Sequence, residues 1–540
     1  MRRKKEVIGI IEGTDFPNKS YFTEEDKKYF FKGGIKGQKV RVLTQRKRKE
    51  GIQSKFLELL ENSTLETETP CPAFGVCGGC TYQTLEYKTE SDIKKEMMKK
   101  LYENLYTEEL YFHPLEKISA YRNKMEYSFG DQYKGGPLTL GLHSKGRFYE
   151  ICDTTGCNIV EEDFEKVRKA VEEYFREGGF SYYRKQTHQG LLRHLVVRYA
   201  FHSKEILVNL VTSSQVEWNK EEFVEMLKAL PVNGKIHSIY HTTNDSLADA
   251  VIPEKLDLLY GEEFINEELL GLKFQITPFS FFQPNPSMAE KLYERALELA
   301  GDLENKKVYD LYSGTGTISQ VFAKKADKVY GIEIIEEAVE SAKETALRNG
   351  LENVEFICGD VLEKIEDLEN KVDVLVLDPP RDGIHPKAID PILDTKPETI
   401  VYISCNPKTQ ARDLRLILEK GYKLEKLEFF DQFPRTVHVE TVALLSKLDV
   451  DQHIKVKLDM DELDITASES KATYEEIKDY VLKKNDMKVS NLYISQIKRK
   501  CGLEVGKNYN VSKKENTIVP NCPPEKEEAI REALEHFKMI

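Results

Sequence analysis

The chain has 540 residues, of which 40% are apolar and 32% charged, and its formal net charge at pH 7 is -13. The length favours roughly three or four domains, and the negative charge excludes a protein that is basic throughout. The basic first residues are not followed by an apolar segment and no apolar run is long enough to cross a bilayer, so we expect a cytoplasmic protein without membrane contact.

Residues 1–65 are predicted to form a small β domain. Residues 1–60 contain sixteen Lys or Arg against eight Asp or Glu, so this end of the chain is basic. An apolar run at 7–10 begins one strand, and the alternation in KVRVL at 39–43 indicates another. A small OB-like barrel would present such cations to a nucleic-acid backbone, although an ordinary solvated surface explains the charge equally well.

Residues 66–270 begin with a cluster of cysteines. Nine cysteines in a chain without an export signal predict metal binding or catalysis rather than disulfides. Cys71, Cys77 and Cys80 lie in CPAFGVCGGC, and three thiolates require a fourth ligand. From the spacing alone, zinc and an iron–sulfur cluster of the radical-SAM kind are alternatives, although the latter uses another spacing. A helix at about 84–110 and short β-like runs then predict an antiparallel domain with helices.

Residues 271–447 alternate apolar strand-like runs with helix-like stretches. This is the pattern of a parallel, doubly wound α/β sheet. The predicted strands lie at 308–312, 328–334, 354–360, 372–380 and 399–405.

The first of these strands leads into DLYSGTGTI (310–318), in which Gly314 and Gly316 allow the backbone to turn tightly beside a ligand. About twenty residues later the next strand ends at Glu333, where a carboxylate accepts both hydroxyls of a ribose. Asp360 ends the following strand and is placed to contact an adenine edge. The spacing also suits a dinucleotide, but the loop lacks the full glycine fingerprint, which favours S-adenosylmethionine (SAM).

Two later strands end in residues that are suited to catalysis. Asp378 begins the stiff loop DPPRDG, and Cys405 follows the strand TIVYIS, so both are expected at the rim where ligands bind. Glu440 lies in an apolar strand with His438 two residues before it, which is costly unless the carboxylate has a role or an ion-pair partner. Methylation of carbon 5 of uracil requires a nucleophile for carbon 6 and a base for the carbon 5 proton, and Cys405 and Glu440 are the candidates.

Residues 448–540 have a pattern of their own. A strand-like alternation precedes two short helices and a last helix that begins near CPPEKEE. The basic sequence IKRK allows a helix-turn-helix-like nucleic-acid binder, but we favour a plain helical appendage. The residues that carry these predictions are Ile454, Val456, Leu458 and Met460 for the strand, Ser470 as a cap, Tyr474, Ile477 and Val481 for the first helix, and Val489, Tyr493, Ile497, Cys501 and Gly502 for the second.

Several stretches together resemble the RNA uracil-5-methyltransferase family, in particular its iron–sulfur-containing branch that acts on 23S rRNA. The likeness covers roughly residues 1–447. It is carried by YRNKMEYSFG (121–130), GLLRHLVVR (190–198), FSFFQPN (279–285), DLYSGTGTI, DPPRDG, YISCNP and HVETV.

This resemblance implies an architecture: an OB-like (TRAM) RNA-binding barrel at 1–65, an iron–sulfur and RNA-binding domain at 66–270, a Rossmann-like SAM methyltransferase domain at 271–447 and a C-terminal α-rich extension at 448–540. It places the nucleophile on Cys405 and the general base on Glu440. It places the SAM contacts on Gln283, Tyr312, Glu333 and Asp378, and contact with the target uracil on Gln283 and Asp378 as well. Ser313 stands where many members of the family have Cys.

The resemblance also favours a 4Fe-4S cluster on the three clustered thiols, with Cys157 as the fourth ligand and Cys152 as the competing candidate. The expected partner is structured RNA, 23S rRNA first and tRNA as the alternative, bound by a monomer. Basic and aromatic residues that could contact this RNA are Arg122, Lys124, Tyr127, Arg193, His194 and Arg198.

Two other functions remain open at this point. The DPP loop is similar to the loop of amino-group methyltransferases, but Arg381 replaces the aromatic residue and such enzymes do not need Cys405. An iron–sulfur RNA-binding protein without methyltransferase activity is the alternative from a different class, and the intact glycine loop, Cys405 and Glu440 argue against it.

Overall fold

The computed structural model describes residues 4–247, 253–365, 372–448, 474–485, 487, 489–501 and 522–536. The chain divides into two units, Met1–His453 and Ile454–Ile540. In the part that the structure describes, the first unit contains three large β-sheets and a two-stranded hairpin, β15–β16 (Ile265–Leu269 and Leu272–Ile276).

The N-terminal sheet has the strand order β1-β5-β6-β4-β3-β2. Alternating side chains of its strands, including Phe22, Phe31, Val40 and Val42, form a small buried core. The predicted N-terminal β-rich domain is thereby confirmed. Its strands are β1 (Glu6–Ile10), β2 (Gly13–Asp15), β3 (Lys19–Glu24), β4 (Lys27–Lys32), β5 (Lys39–Arg48) and β6 (Gly51–Glu61).

The second sheet has seven strands in the order β10-β9-β8-β11-β12-β13-β14 and is largely antiparallel. Helix α2 buries Phe164, Val167, Val171 and Phe175 in the core of this sheet, at the three- and four-residue spacing of one helix face. The elements are β8 (Lys124–Asp131), β9 (Leu138–Ser144), β10 (Arg147–Asp153), α2 (Glu162–Glu177), β11 (Leu192–Tyr199), β12 (Glu205–Thr212), α3 (Lys220–Lys228), β13 (Lys235–Thr243) and β14 (Lys255–Gly261).

The third sheet has the order β19-β18-β17-β20-β21-β23-β22-β7. The strands from β17 to β21 are parallel and β23 is antiparallel to β21, so the chain order reverses between β17 and β20 and the predicted doubly wound sheet is confirmed. The strands are β7 (Tyr111–His113), β17 (Lys307–Leu311), β18 (Lys328–Glu333), β19 (Val354–Cys358), β20 (Val374–Leu377), β21 (Thr399–Ser404), β22 (Tyr422–Phe430) and β23 (Glu440–Lys447).

The helices around this sheet follow the strands that they connect. Asn406 caps the helix after β21 by accepting a hydrogen bond from the amide of Lys408 (3.3 Å), and Pro407 occupies its first turn. The helices are α4 (Pro286–Leu299), α5 (Thr317–Ala323), α6 (Glu336–Arg348), α7 (Val361–Lys364), α8 (Pro386–Asp394) and α9 (Pro407–Glu419).

Helix α1 (Tyr87–Tyr102) and β7 precede the seven-stranded sheet in the chain but pack on the α/β sheet. Helix α1 is shorter than the predicted helix at 84–110. Met98 and Tyr102 are fully buried in the α/β core, and the Tyr102 hydroxyl donates to the carbonyl of Pro407 at 2.9 Å. This helix therefore supports the back of the sheet edge at which β21 ends.

The second unit contains α10 (Tyr474–Asn485), α11 (Asn491–Lys500) and α12 (Pro524–His536), which bury Ile477, Val481, Ile494, Ile497 and Ile530 together. The first two helices and the last helix agree with the sequence pattern. The predicted strand at 454–460, the predicted helix cap Ser470 and the helix stop Gly502 lie outside the described residues. Within the described residues, helices with the length and apolarity of a membrane span do not occur.

Candidate active site

The carboxyl ends of five parallel strands meet at one edge of the α/β sheet. Each of them is followed by a segment that the sequence singled out: the glycine loop after β17, Glu333 at the end of β18, Gly359-Asp360 after β19, Asp378 after β20 and Cys405 after β21. Parallel strands place such positions side by side, so these side chains share one rim.

The glycine loop has a backbone that favours glycine. Gly314 and Gly316 have φ values of 55° and 74°, in the left-handed region. A Cβ at Gly316 would lie 2.5 Å from the ring of Phe356, so only glycine fits there. Tyr312, with φ 68°, carries a side chain through the same strained turn. The loop is held by its own amides, since that of Ser313 donates to the carbonyl of Ile332 and that of Gly316 to the carbonyl of Ser313, both at 2.9 Å.

Glu333 is fixed against this loop. One carboxylate oxygen accepts from the amide of Gly314 and the other from the amide of Ile335, both at 3.0 Å. Ile334 and Ile335 beside it are 63% and 55% exposed, and sequence reasoning did not single them out. Asp360 is exposed and caps α7 by accepting from the amide of Leu362 at 2.8 Å. Acidic and exposed apolar side chains thus follow β18 and β19 at this edge of the sheet.

Cys405 and Glu440 lie at adjoining ends of β21 and β23. The antiparallel register of these strands ends with the pair Ser404 and Thr441, so that Cys405 follows β21 directly and Glu440 begins β23. The Thr441 hydroxyl donates to the carbonyl of Ser404 at 3.1 Å and fixes this register. The thiol of Cys405 and the carboxyl group of Glu440 are therefore close enough to interact electrostatically.

Burial shifts the pKa values of these groups. It raises the pKa of Cys405 to about 12, with smaller contributions from Glu440 and Asp378. It raises the pKa of Asp378 to about 7, and Asp310 adds to this shift. It also raises the pKa of Glu440 well above its usual range, again with help from Asp378. Several acids in a low-dielectric site resist ionising together.

Arg381 opposes these shifts and was missed as a site residue. It lowers the pKa of Cys405 and of Glu440, and one guanidinium nitrogen lies 3.3 Å from His438 Nδ1. Its carbonyl accepts from the Asn406 side-chain amide at 2.9 Å, which holds the loop in place. The sequence signal was present in DPPRDG, where the arginine served only to argue against another enzyme class.

Gln283 is 9% exposed and contacts Tyr293, a buried residue that also interacts electrostatically with Asp378 and Glu440. Its side-chain oxygen accepts from Gln432 Nε2 at 3.2 Å, and its carbonyl accepts from Asn123 Nδ2 at 3.0 Å. Asn123 precedes β8, so this contact joins the seven-stranded sheet to the active-site edge. An amide held from two sides is suited to orient a planar ligand.

A buried ion network supports the segment that leads to Glu440. Lys94 on α1 is fully buried, and its ammonium lies 2.7 Å from Glu90 and 2.8 Å from Asp431. Glu90 also accepts from the amide of Arg435 at 2.6 Å, and the carbonyl of Arg435 accepts from the amide of Thr81 at 2.7 Å. The cysteine segment, α1 and the loop before β23 are therefore tied together.

The predicted cluster ligands lie near one another. Gln83 Nε2 donates to Cys80 Sγ at 3.6 Å and to Asn158 Oδ1 at 2.8 Å, which brings Cys80 next to the residue that follows Cys157. Burial raises the pKa of Cys80 to about 12, and Cys157, Cys77 and Cys71 add to the shift. Cys152 packs with Cys71 and Cys77 instead. Within the described residues, no group of three or more His, Cys, Asp or Glu side chains is arranged to hold a metal ion.

The residues that were expected to face RNA fall into two groups, one in the interior and one at a cavity. Tyr127 is 1% exposed and Arg198 is 4% exposed, with a guanidinium nitrogen that donates to the carbonyl of Ser280 at 2.5 Å. Neither can meet RNA, because both lie in the interior on strands that are covered by helices or loops. Arg193 and His194 line a cavity on the seven-stranded sheet.

The doubly wound sheet, the glycine loop and the acid at the end of β18 define a SAM-dependent methyltransferase. The family model for tRNA (uracil-5-)-methyltransferases matches residues 86–448. An uncharacterized RNA methyltransferase of Clostridium tetani is 46% identical over 452 residues, 83% of this chain and 99% of its own length. One of Caldanaerobacter subterraneus is 47% identical over 448 residues, 82% of this chain and 99% of its own length.

Among solved structures, the chain is similar to the tRNA (uracil-54, C5)-methyltransferase of Pyrococcus abyssi in complex with S-adenosyl-L-homocysteine. The TM-score is 0.65 at 26% identity, and the match covers 81% of this chain and 100% of that chain. The chain therefore belongs to the tRNA (uracil-5-)-methyltransferase family and is a SAM-dependent RNA methyltransferase. The predicted enzyme class is confirmed, and the comparisons favour uracil over the amino-group alternative.

Proposed function

We propose that the protein methylates carbon 5 of a uridine in 23S rRNA through a covalent adduct between Cys405 and carbon 6 of the base. The observation that supports this most directly is that Cys405 follows β21 where Glu440 begins the neighbouring β23, and that the two side chains interact electrostatically at the same sheet edge as the glycine loop. A nucleophile on one strand and a base on the next meet the two requirements of the reaction.

The reaction begins when Cys405, having lost its proton to solvent, adds as a thiolate to carbon 6 of a uracil that has left its stack. The ring becomes an enolate and carbon 5 becomes nucleophilic. Bound SAM supplies the methyl group as an electrophilic sulfonium. Glu440 then takes the proton from carbon 5, the double bond between carbons 5 and 6 re-forms, and the thiolate of Cys405 leaves.

Other residues hold the reactants. Glu333 and Tyr312 flank the groove proposed for the nucleoside part of SAM, with Gly314 beneath it and Asp360 at its end. Gln283 and Asp378 carry the polar groups that we assign to the polar edge of the uracil. The raised pKa of Asp378, about 7, allows it to donate a proton to a carbonyl oxygen of the base.

The covalent step is tested with Cys405→Ala. We expect loss of 5-methyluridine formation and loss of the stable complex with 5-fluorouracil-containing RNA, while SAM binding is retained. Cys358→Ala, an exposed cysteine beside the SAM groove, is the matched control and should keep both activities. Methylation by Cys405→Ala would refute the mechanism.

The target RNA is proposed from the resemblance to the 23S rRNA branch. A tRNA uridine is the second candidate, which the likeness to the Pyrococcus abyssi tRNA (uracil-54, C5)-methyltransferase favours. We infer that residues 1–65 and 66–270 hold the RNA in the cytoplasm for the domain at 271–447, with residues 448–540 as an extension. Nucleoside mapping of 23S rRNA and tRNA after deletion of the gene separates the two targets. Loss of one 5-methyluridine from tRNA alone would overturn the rRNA assignment.

We also propose that Cys71, Cys77, Cys80 and Cys157 bind a 4Fe-4S cluster. The proposal is supported by the thiolate chemistry of the four residues and by the proximity of their loops, since Gln83 joins the loops of Cys80 and Cys157 and a Cβ on Gly156 would lie 3.3 Å from Pro72, next to Cys71. The cluster would shape the RNA-binding surface rather than carry electrons, because methyl transfer from SAM involves no net oxidation or reduction. Iron and sulfide should be present in anaerobically purified protein and lost in Cys157→Ser, while Cys152→Ser keeps them. The reverse result would move the fourth ligand to Cys152.

A further inference from the structure

A cavity of about 500 Å³ lies on the seven-stranded sheet. Its walls come from β8, β9, β10 and β11, and the segment 182–187 closes one side. This volume is in the range of sites that bind small molecules or single groups of larger ones. None of the residues assigned to methyl transfer lines it.

The cavity is lined by aromatic rings and cations. Tyr149 is 64% exposed, the Arg184 guanidinium lies 5.4 Å from the ring centre of Tyr182, and that of Arg193 lies 4.4 Å from the ring centre of Tyr183. Rings with cations beside them are the combination that holds an unstacked base and its phosphate.

The charge of the lining is positive. Lys134, Arg184, Lys185 and Arg193 outnumber Asp131 and Glu150. Both carboxylates already have partners, since Asp131 accepts from the hydroxyl of Tyr182 at 3.0 Å and Glu150 from Arg147 at 2.8 Å. An anionic ligand therefore meets net attraction here.

The floor offers groups that both donate and accept hydrogen bonds. Ser128 Oγ lies 3.4 Å from His143 Nε2 and 3.3 Å from His194 Nδ1. The closing segment is shaped in advance, because the amide of Arg184 donates to the carbonyl of Gln189 at 2.8 Å. A preformed site with a polar floor suits the edge of a nucleobase.

The cavity is far from the methylation site. Asn123, just before β8, contacts Gln283 at that site, whereas Ser128 to Asp131 at the cavity lie five to eight residues further along the strand. At about 3.3 Å per residue the separation is about 16–26 Å, which is several nucleotides of RNA.

We propose that this cavity binds one unstacked nucleotide of the substrate RNA, several nucleotides away from the uridine that is methylated. The inference rests on the proposed function, because it takes the same RNA as the ligand. The base stacks on Tyr149 at the mouth, and Lys134 and Arg184 contact the adjoining phosphates. The cavity thereby contributes to RNA affinity and register but not to the chemical step.

The test compares Tyr149→Ala with Tyr133→Ala. Tyr133 is 62% exposed and lies in the turn after β8 but does not line the cavity, so it matches Tyr149 in exposure. The probes are unmodified transcripts of 23S rRNA and tRNA, of which the one that the wild type methylates is used. We expect Tyr149→Ala to raise the RNA Kd by about 5- to 100-fold, with kcat at saturating RNA within about twofold of the wild type. Tyr133→Ala should remain within about twofold in both.

A second measurement does not depend on that variant. Ultraviolet cross-linking of the wild-type complex should attach a nucleotide to a peptide that contains Tyr149 or Tyr182, at a position different from the methylated uridine. Lys134→Ala should reduce the slope of log Kd against log salt by about one.

The inference is overturned if Tyr149→Ala binds RNA as the wild type does, as it would if the cavity served a protein partner. It is also overturned if the cross-linked nucleotide is the methylated uridine itself. These outcomes differ from failure of the proposed function, in which the wild type would form no 5-methyluridine in either RNA.

Discussion

The active-site edge of the α/β sheet and the cavity on the seven-stranded sheet both collect charged groups, but they expose them differently. At the edge, Glu440 is 3% exposed and burial raises its pKa. Around the cavity, Lys134 and Lys185 reach solvent. Burying a charged group destabilises the fold, but it also shifts the pKa of the group, and a shifted pKa is useful in a reaction step. Exposed cations are sufficient where the task is only to attract an anionic ligand.

The largest effect is expected from removing the buried base. Glu440→Gln keeps the shape of the side chain but cannot take the carbon 5 proton, so turnover should fall about 10²- to 10⁴-fold. A methylated covalent complex with RNA should accumulate and survive denaturing electrophoresis. Glu419→Gln, an exposed residue at the end of α9, is the control and should leave turnover unchanged. Normal turnover without an accumulated complex would remove Glu440 from the mechanism.

The next effect concerns the buried ions behind the site. Lys94→Met leaves Asp431 buried without its cation and Glu90 with Arg435 alone, which should lower the free energy of unfolding by about 3–5 kcal/mol in urea denaturation. The matched control on the same helix is Lys88→Met, because its ion pair with Asp92 is also 2.8 Å long but the side chains are 85% and 63% exposed. That pair should contribute little to stability, because solvent screens it. An equal decrease in the free energy of unfolding in both variants would show that burial does not determine how much the network stabilises the fold.

The sequence was sufficient for the active-site edge because the sheet is parallel. The candidates from Tyr312 to Cys405 follow apolar strands, and parallel strands bring such positions together whatever lies between them. Cys405 and Glu440 could be proposed from two short motifs, although the place of Glu440 at the start of the antiparallel β23 was not foreseen. The position of this sheet edge depends on where each strand ends and its loop begins, and local sequence patterns are sufficient to predict those positions.

Other features depend on contacts between distant parts of the chain. Lys94 and Asp431 are 337 residues apart, and the amphipathic pattern of α1 shows that the helix packs but not against which sheet. The prediction that Tyr127 contacts RNA is wrong, because alternation does not reveal which face of β8 packs into the core of the sheet. The cavity draws residues from four strands and a loop, and no motif marks it. Such sites follow from tertiary packing and become visible only in the structure.

A smaller effect is expected at the exposed rim of the SAM groove. Glu333→Ala removes the carboxylate that accepts from the amide of Gly314 and that we propose to bind the ribose of SAM. The loss of a charged hydrogen bond to SAM should raise the KM for SAM by about 10- to 100-fold, with a smaller change in kcat. Glu337→Ala, exposed in the first turn of α6, is the control. Calorimetric titration with SAM separates binding from turnover, and an unchanged SAM affinity would place the nucleoside elsewhere.

The smallest effect, and the one that tests the burial argument without a mutation, is the pH dependence of Cys405 alkylation. The pKa of Cys405 is raised to about 12, so the thiol is protonated at neutral pH and the reactive thiolate fraction increases about tenfold for each pH unit below that value. Alkylation of Cys405 by iodoacetamide in the free enzyme should therefore be slow at pH 7 and rise steadily up to the alkaline limit of folding. Exposed Cys358, followed in the same digest by mass spectrometry, should react faster at neutral pH. A plateau in the Cys405 rate near pH 7 would mean that Arg381 outweighs burial and that the thiolate exists before RNA binds.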